Sequence, residues 1–192
     1  YAALKNPGLL TGELSPKALA FAVAEYMPED CIVADESGVT GGICFPVTSN
    51  TVRHDWLRLS GGSIGYGLPC AIGAAVACPE RKVLCLHGDG GAMYTIQSLW
   101  TMVREQLDIC VVIFANRKYQ ILQVELARVG AESVSPKTLD MMDLSNPDLD
   151  FVQLAQGMGM RASSASSAEE FNEQLKQAMA QTGPCLIEAV LP

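Results

Sequence analysis

The sequence predicts an α/β domain built as a three-layer, doubly wound, mostly parallel sheet with helices on both faces. Three observations carry that expectation. Strand-length apolar runs alternate with helix-length segments along the chain. The strand runs are apolar throughout rather than at every second position, as strands buried on both faces require. Residues of unusual chemistry follow those runs directly, where open parallel sheets bind their ligands.

Taken in order, Asn6-Pro7-Gly8 to Thr11-Gly12 reads as a linker, so residues 1–14 are expected to be a linker remnant and residues 15–192 the domain. Ser15-Pro16 supplies an N-cap followed by a proline at the first helical position, and Ala/Leu/Phe periodicity then extends to about Tyr26. Cys31–Ala34 is a short strand ending at Asp35-Glu36-Ser37. A glycine-rich turn over Ser60–Gly67 leads into a small-residue helix, Leu68–Ala77. The strand Val83–Leu86 runs into Gly88-Asp89-Gly90-Gly91. A helix over Met93–Glu105 is expected to turn Met93, Ile96, Leu99, Trp100 and Val103 inward. The apolar strand Ile109–Phe114 ends just before Asn116. Arg117–Pro147, broken by Pro136 and Pro147, reads as a mobile loop region with one or two short helices. Helix Phe151–Met158, strand Met160–Ala162, a capping box at Ser167 and Glu170, and strand Cys185–Val190 complete the chain.

Bulk properties narrow the function. The 192 residues suit one domain with a substantial core. A formal charge of −8 argues against nucleic acid or an anionic membrane as partner, and no apolar run is long enough to span a bilayer. An acidic chain that binds a polyphosphate must neutralise it locally, with a metal and backbone N–H groups. The seven cysteines form no C-x-x-C pair and sit mostly within apolar runs, which suggests buried, reduced thiols and a cytoplasmic protein.

The motif Gly88-Asp89-Gly90-Gly91 admits three readings. As a dinucleotide fingerprint it lacks the third glycine and sets a carboxylate against the pyrophosphate; as a Walker loop it lacks the lysine. A capped strand-to-helix turn explains the tripeptide alone. A metal–diphosphate site explains more, because Asp89 and Asn116 lie 27 positions apart, separated by one helix and one strand. A right-handed crossover sets two such strand ends side by side. The carboxylate and amide oxygens could then share a Mg²⁺ whose octahedral shell is completed by a main-chain carbonyl, phosphate oxygens and water.

These residues resemble the cofactor motif of the thiamine-diphosphate enzymes of the acetolactate synthase, pyruvate decarboxylase and benzoylformate decarboxylase group. Ala115 stands where that family often has the first asparagine of a pair, and Asn116 where it has the metal-binding one. The segment Leu59–Pro69 followed by Ala71–Ala75 resembles the family's glycine-rich segment, and Asp35–Thr40 its third strand-end loop. The resemblance implies the thiamine-diphosphate-binding fold, with Mg²⁺ held by Asp89, Asn116 and the main-chain oxygen of Lys118. It also implies cofactor contacts from Ser37, Gly62, Ser63, Ile64, Asp89, Gly90, Gly91, Asn116 and Tyr119. Gly62 O would accept from the aminopyrimidine, and Ile64 would be the apolar wedge that bends the cofactor. FAD is compatible with the same resemblance.

No catalytic residue is expected on this chain. The activating glutamate would come from the pyrimidine-binding domain of a neighbouring subunit in a homodimer or homotetramer, so the chain reads as the C-terminal part of a three-domain enzyme, inert alone. Asp35 and Glu36 read as solvated strand-end carboxylates, His54 as a surface residue, and His87 as structural rather than as a catalytic base. The implied activity is decarboxylation and carboligation of a 2-oxo acid such as pyruvate, as in acetolactate synthase. A benzoylformate-type 2-oxo-acid decarboxylase is the alternative. A non-catalytic cofactor-binding or interaction domain, and a nicotinamide-binding domain, are the rivals from other classes.

Overall fold

The computed structural model describes residues 8–130 and 134–192. Its chain order begins α1 (Pro16–Tyr26), β1 (Cys31–Glu36), α2 (Gly38–Gly41), α3 (Cys44–Thr48), β2 (His54–Arg58), α4 (Gly67–Ala77) and β3 (Val83–Gly88). It continues with α5 (Asp89–Ala92), α6 (Ser98–Arg104), β4 (Ile109–Ala115), α7 (Gln120–Arg128) and α8 (Pro136–Asp140). It closes with α9 (Phe151–Gly157), β5 (Arg161–Ala165), α10 (Ala168–Ala180) and β6 (Cys185–Val190). The strands form one six-stranded sheet in the order β2-β1-β3-β4-β6-β5, and every pairing among the described residues is parallel.

The unbroken apolar strands divide their residues between two cores. Val33, Leu84, Leu86, Val112 and Phe114 face α1 and α10 with Leu14, Leu19, Val23, Phe171 and Leu175. Ile32, Ala34, Cys85, Val111 and Ile113 face the other way, onto Leu68, Ala71, Leu99, Met102 and Phe151. The three-layer expectation therefore holds, and its cause is the double burial of β1, β3 and β4. Ser15 caps α1 by accepting from Ala18 N, and the Ser167–Glu170 capping box starts α10. All seven cysteines are free, and each is buried or half-buried.

Several expectations need correction. The helix over Met93–Glu105 is broken: α5 ends at Ala92, a turn follows, and α6 starts only at Ser98. Met93 and Trp100 are exposed, Trp100 by 52%, while Leu99 and Met102 fill the core. The cause is tertiary. Thr95 Oγ1 donates to Gly65 O at 2.9 Å, and Tyr94 N and Thr95 N close four-residue turns onto Gly91 O and Ala92 O. That docking onto the glycine-rich loop outweighs the helical period. The polar run His54–Arg58 is an edge strand, with His54 half-buried and edge-on to Trp56.

The assigned linker over residues 1–14 is part of the domain at its end. Leu14 is fully buried, Glu13 bridges Ser167, and Gly12 N donates to the Glu169 carboxylate at 2.9 and 3.0 Å. Residues 1–7 lie outside the described residues. Arg117–Pro147 contains the two short helices α7 and α8, and residues 131–133 of it lie outside the described residues.

Candidate functional site

The chain reverses its direction of travel across the sheet between β1 and β3, since β2 lies outside β1 and β4 follows β3 on the other side. Parallel sheets leave a crevice at such a switch point, outside the carboxyl ends of the strands. Here it is a cavity of about 480 Å³, within the range of small-molecule and cofactor sites. Loops after β1, β2, β3 and β4 line it, and each contributes at least one residue singled out from the sequence.

Asp89 opens α5 and is 4% exposed. Gly90 N donates to Oδ1 at 2.8 Å and Arg117 N to Oδ2 at 2.6 Å. Arg117 reaches that position in the left-handed region, at φ 56°. One residue to each side stand Asn116 and Lys118, so the crossover does bring Asp89 against the Asn116–Lys118 turn. Burial pushes the Asp89 carboxyl above its ordinary range, and the N–H groups of Gly90 and Arg117 only partly pull it back. Among the described residues no cationic side chain forms an ion pair with it, so the site has room for a cation to offset the charge.

Asn116 is held in one orientation. Its Nδ2 donates to Thr40 Oγ1 at 2.8 Å and to Gln120 Oε1 at 3.1 Å, and its Oδ1 accepts from Lys118 N at 3.1 Å. With both amide protons committed, Oδ1 keeps one lone pair for another partner. Thr40 in turn donates to Gln120 Oε1 at 2.8 Å. Thr40 and Gln120 were not among the expected site residues; the position of Gln120 four residues after Asn116 was the available signal. Among the described residues no three His, Cys, Asp or Glu side chains cluster to hold a metal. A hard cation here must therefore use one carboxylate with amide and main-chain oxygens and take the rest of its shell from a ligand, as Mg²⁺ does with phosphates. The donor set fits that ion.

The remaining expected residues divide. Ser37, Gly62, Ile64, Gly91, Lys118 and Tyr119 line the cavity with Asp89 and Asn116. Ser63 and Gly90 do not. Gly90 spends its N–H on Asp89, and a Cβ there would stand 2.5 Å from the Tyr119 ring, so it is a packing glycine under that ring. Ser37 lines the wall, but its N–H and hydroxyl both donate to Asp35 Oδ1, at 3.0 and 2.5 Å. Its hydroxyl proton is thus used within the loop. Ile64 is 54% exposed, an apolar side chain carried on a glycine loop with positive φ at Gly61, Gly62 and Gly65.

The two acids of β1 are not solvated. Asp35 is buried and also accepts from Trp56 Nε1 at 3.1 Å. Glu36 is buried and lines the cavity, accepting from Gly65 N at 2.7 Å and Gly67 N at 2.5 Å. Burial opposes its ionisation, but the contact with His87 and the N–H groups of Gly67 and Gly65 outweigh this and hold its carboxyl below the ordinary value. His87 is fully buried; Nδ1 lies 3.0 Å from Gly88 O, and Nε2 lies 3.1 Å from Glu36 Oε2 but off the hydrogen-bond line. The structural reading of His87 fits this burial.

Fold and site together define a class: a parallel α/β domain with a small-molecule-sized cavity at the switch point of its sheet, lined by the strand-end loops. Within that class, residues 44–189 match the family of the thiamine pyrophosphate enzymes, C-terminal TPP-binding domain, and the chain belongs to that family. It is 49% identical over its whole length to a Mycobacterium tuberculosis protein provisionally named acetolactate synthase large subunit IlvX, covering 37% of that protein. It is 32% identical over 97% of its length to benzoylformate decarboxylase from Pseudomonas aeruginosa, covering 34% of it. Among solved structures, the thiamine diphosphate-dependent 4-hydroxybenzoylformate decarboxylase of Rhodococcus jostii RHA1 superposes on the whole chain with a TM-score of 0.83 at 29% identity, over 35% of that protein. The chain thus spans about a third of the length of these relatives. Among the described residues no helix is long and apolar enough to cross a membrane.

Proposed function

We propose that this chain binds thiamine diphosphate through Mg²⁺ held by Asp89, Asn116 and the main-chain oxygen of Lys118, as the diphosphate-binding part of an acetolactate-synthase-like enzyme acting on 2-oxo acids. The observation that carries the reading is the buried, uncompensated Asp89 carboxylate, fixed against the backbone between Asn116 and Lys118. When bound, the cofactor supplies the carbon nucleophile and electron sink for decarboxylation and carboligation. The chain's own residues bind and orient. Asp89 and Asn116 offer oxygens to the cation, Thr40 and Gln120 keep the Asn116 amide from rotating, and Ile64 supports the organic part of the ligand from its loop. The proton transfer that activates the cofactor is assigned to a glutamate from the pyrimidine-binding domain of a neighbouring subunit, so the chain alone is catalytically inert.

Titration calorimetry of thiamine diphosphate with Mg²⁺, on the wild type and on Asp89→Ala, tests the site. Saturable, Mg²⁺-dependent binding that Asp89→Ala abolishes is expected, and equal binding by both proteins would sink the metal assignment. A second reading, a benzoylformate-type decarboxylase, is favoured by the likeness to the two decarboxylases and by the acidic end of β1, which resembles that branch. Supplying the pyrimidine-binding domain and pyruvate, then asking whether acetolactate or free aldehyde forms, separates the two.

A further inference from the structure

The loop that carries Ile64 is anchored by Glu36, a side chain to which neither the sequence nor the proposed cofactor contacts give a task. The loop has little of its own to hold it, since Gly61, Gly62 and Gly65 all adopt positive φ and Gly61–Ile64 are exposed. Its order is imposed at Gly65. The Gly65 N–H donates to Glu36 Oε1 at 2.7 Å, and its carbonyl accepts from Thr95 Oγ1 at 2.9 Å. Two residues on, Gly67 N donates to Glu36 Oε2 at 2.5 Å. One carboxylate therefore grips the last N–H groups of the loop where it enters α4, Gly65 in the loop and Gly67 at the first helical residue, with each oxygen assigned to one of them. Bonds of this kind, to an ionised acceptor, are about twice as strong as neutral ones.

The slot around the carboxylate is closed by glycines on both sides. A Cβ at Gly67 would lie 2.9 Å from Glu36 Cβ and 2.7 Å from His87 Cδ2. A Cβ at Gly91 would lie 3.0 Å from both Glu36 Oε1 and His87 Cε1. The glycine-rich loop and the Gly88–Gly91 turn are thus fitted to one charged group, 7% exposed, at the end of β1. His87, whose Nδ1 must donate to Gly88 O, presents Nε2 to Glu36 and completes the enclosure.

We infer that Glu36 is a positioning residue: by gripping Gly65 and Gly67 it sets where Gly62 and Ile64 stand over the cavity, and so governs binding of the organic half of the ligand but not of its diphosphate. This rests on the proposed cofactor reading, in which Asp89 and Asn116 hold the diphosphate end independently. In Glu36→Gln the amide has one acceptor oxygen in place of two, and its NH₂ faces an N–H donor. One of the two grips is lost, while the side-chain volume is nearly conserved.

The test measures the affinity of the 192-residue chain for two probes, each with Mg²⁺: thiamine diphosphate and inorganic pyrophosphate. Glu36→Gln is expected to weaken thiamine diphosphate binding by roughly tenfold or more, the scale of one lost charge-assisted hydrogen bond, and to leave pyrophosphate within about threefold. Amide exchange at Gly65 and Gly67, slow in the wild type, is expected to speed up at one of them. A merely destabilising substitution would weaken both probes together. Unchanged thiamine diphosphate binding, or equal loss of both probes, overturns the positioning role. If the wild type binds neither probe, the cofactor reading itself falls and takes this role with it. Should Glu36→Gln fail to fold, Thr95→Val removes the opposite pin on Gly65 and leaves the carboxylate in place. Selective loss of thiamine diphosphate there supports the inference, and parallel or absent loss overturns it.

Discussion

Gly90→Ala isolates the packing of the Gly88–Gly91 turn against the loop that carries Asn116 and Lys118. A Cβ at Gly90 would sit 2.5 Å from Tyr119 Cε1 and 2.7 Å from Cδ1, with Leu144 Cδ1 at 3.4 Å. Ordinary contact begins near 3.4 Å, so the ring must retreat by about 0.9 Å, or the turn must shift by as much. Overpacking of this kind costs about 1–3 kcal/mol. Gly90 lies inside the short helix α5, where alanine is otherwise favoured by about 1 kcal/mol. The net destabilisation expected is therefore up to about 2 kcal/mol in urea unfolding, with weaker Mg²⁺-dependent cofactor binding because Tyr119 adjoins Lys118. The same substitution in a Tyr119→Ala background has no ring to displace. There it should be neutral or stabilising, giving a coupling of about 1–3 kcal/mol in the double-mutant cycle. Additive effects within about 0.5 kcal/mol would refute the packing argument.

Leu14→Ala tests whether the segment before α1 belongs to the fold; complete burial predicts a loss of about 2–5 kcal/mol in urea unfolding, and a loss under 1 kcal/mol would return Leu14 to a linker. Glu36 and Asp89 impose opposite pH dependences on the metal-free chain. Glu36 is depressed, so its stabilisation is present above the ordinary value of about 4.3 and is lost as pH falls through its lower folded value. Asp89 is raised, so it opposes folding at neutral pH, and that penalty is lifted as pH falls through its folded value above about 3.9. Asp89→Asn should therefore raise stability without metal at pH 7 and lose that advantage near pH 3, as read from unfolding midpoints; an advantage independent of pH would contradict the assignment.

The elements legible from the sequence were those whose burial is decided locally. β3, β4 and β6 were visible because strands covered on both faces must be apolar throughout, and Ser15-Pro16 and the Ser167–Glu170 box write their helix starts in a few adjacent residues. What stayed hidden depends on partners far along the chain. Glu36 looked solvated because Gly65 and Gly67, which satisfy it, come about thirty positions later. The break before α6 is made by the bond from Thr95 to Gly65, which no helical period can register. β2 was missed because an edge strand has little reason to be apolar. In the candidate site the pairing of Asp89 with the Asn116 turn followed from the crossover geometry, whereas the division between Gly90 as packing and Gly91 as lining rests on where the Tyr119 ring lies.

Every residue lining the large cavity falls between Glu36 and Ile121, although the sheet continues through β5 and β6 to Val190. The chain is thus partitioned by task along its length. Variation in its first two-thirds can retune what is bound without disturbing the far edge of the sheet. Variation after α7 reaches this cavity through the backbone of Met142–Leu144, which bonds Tyr119 N and Arg117 O and so holds the turn that carries Asn116 and Lys118.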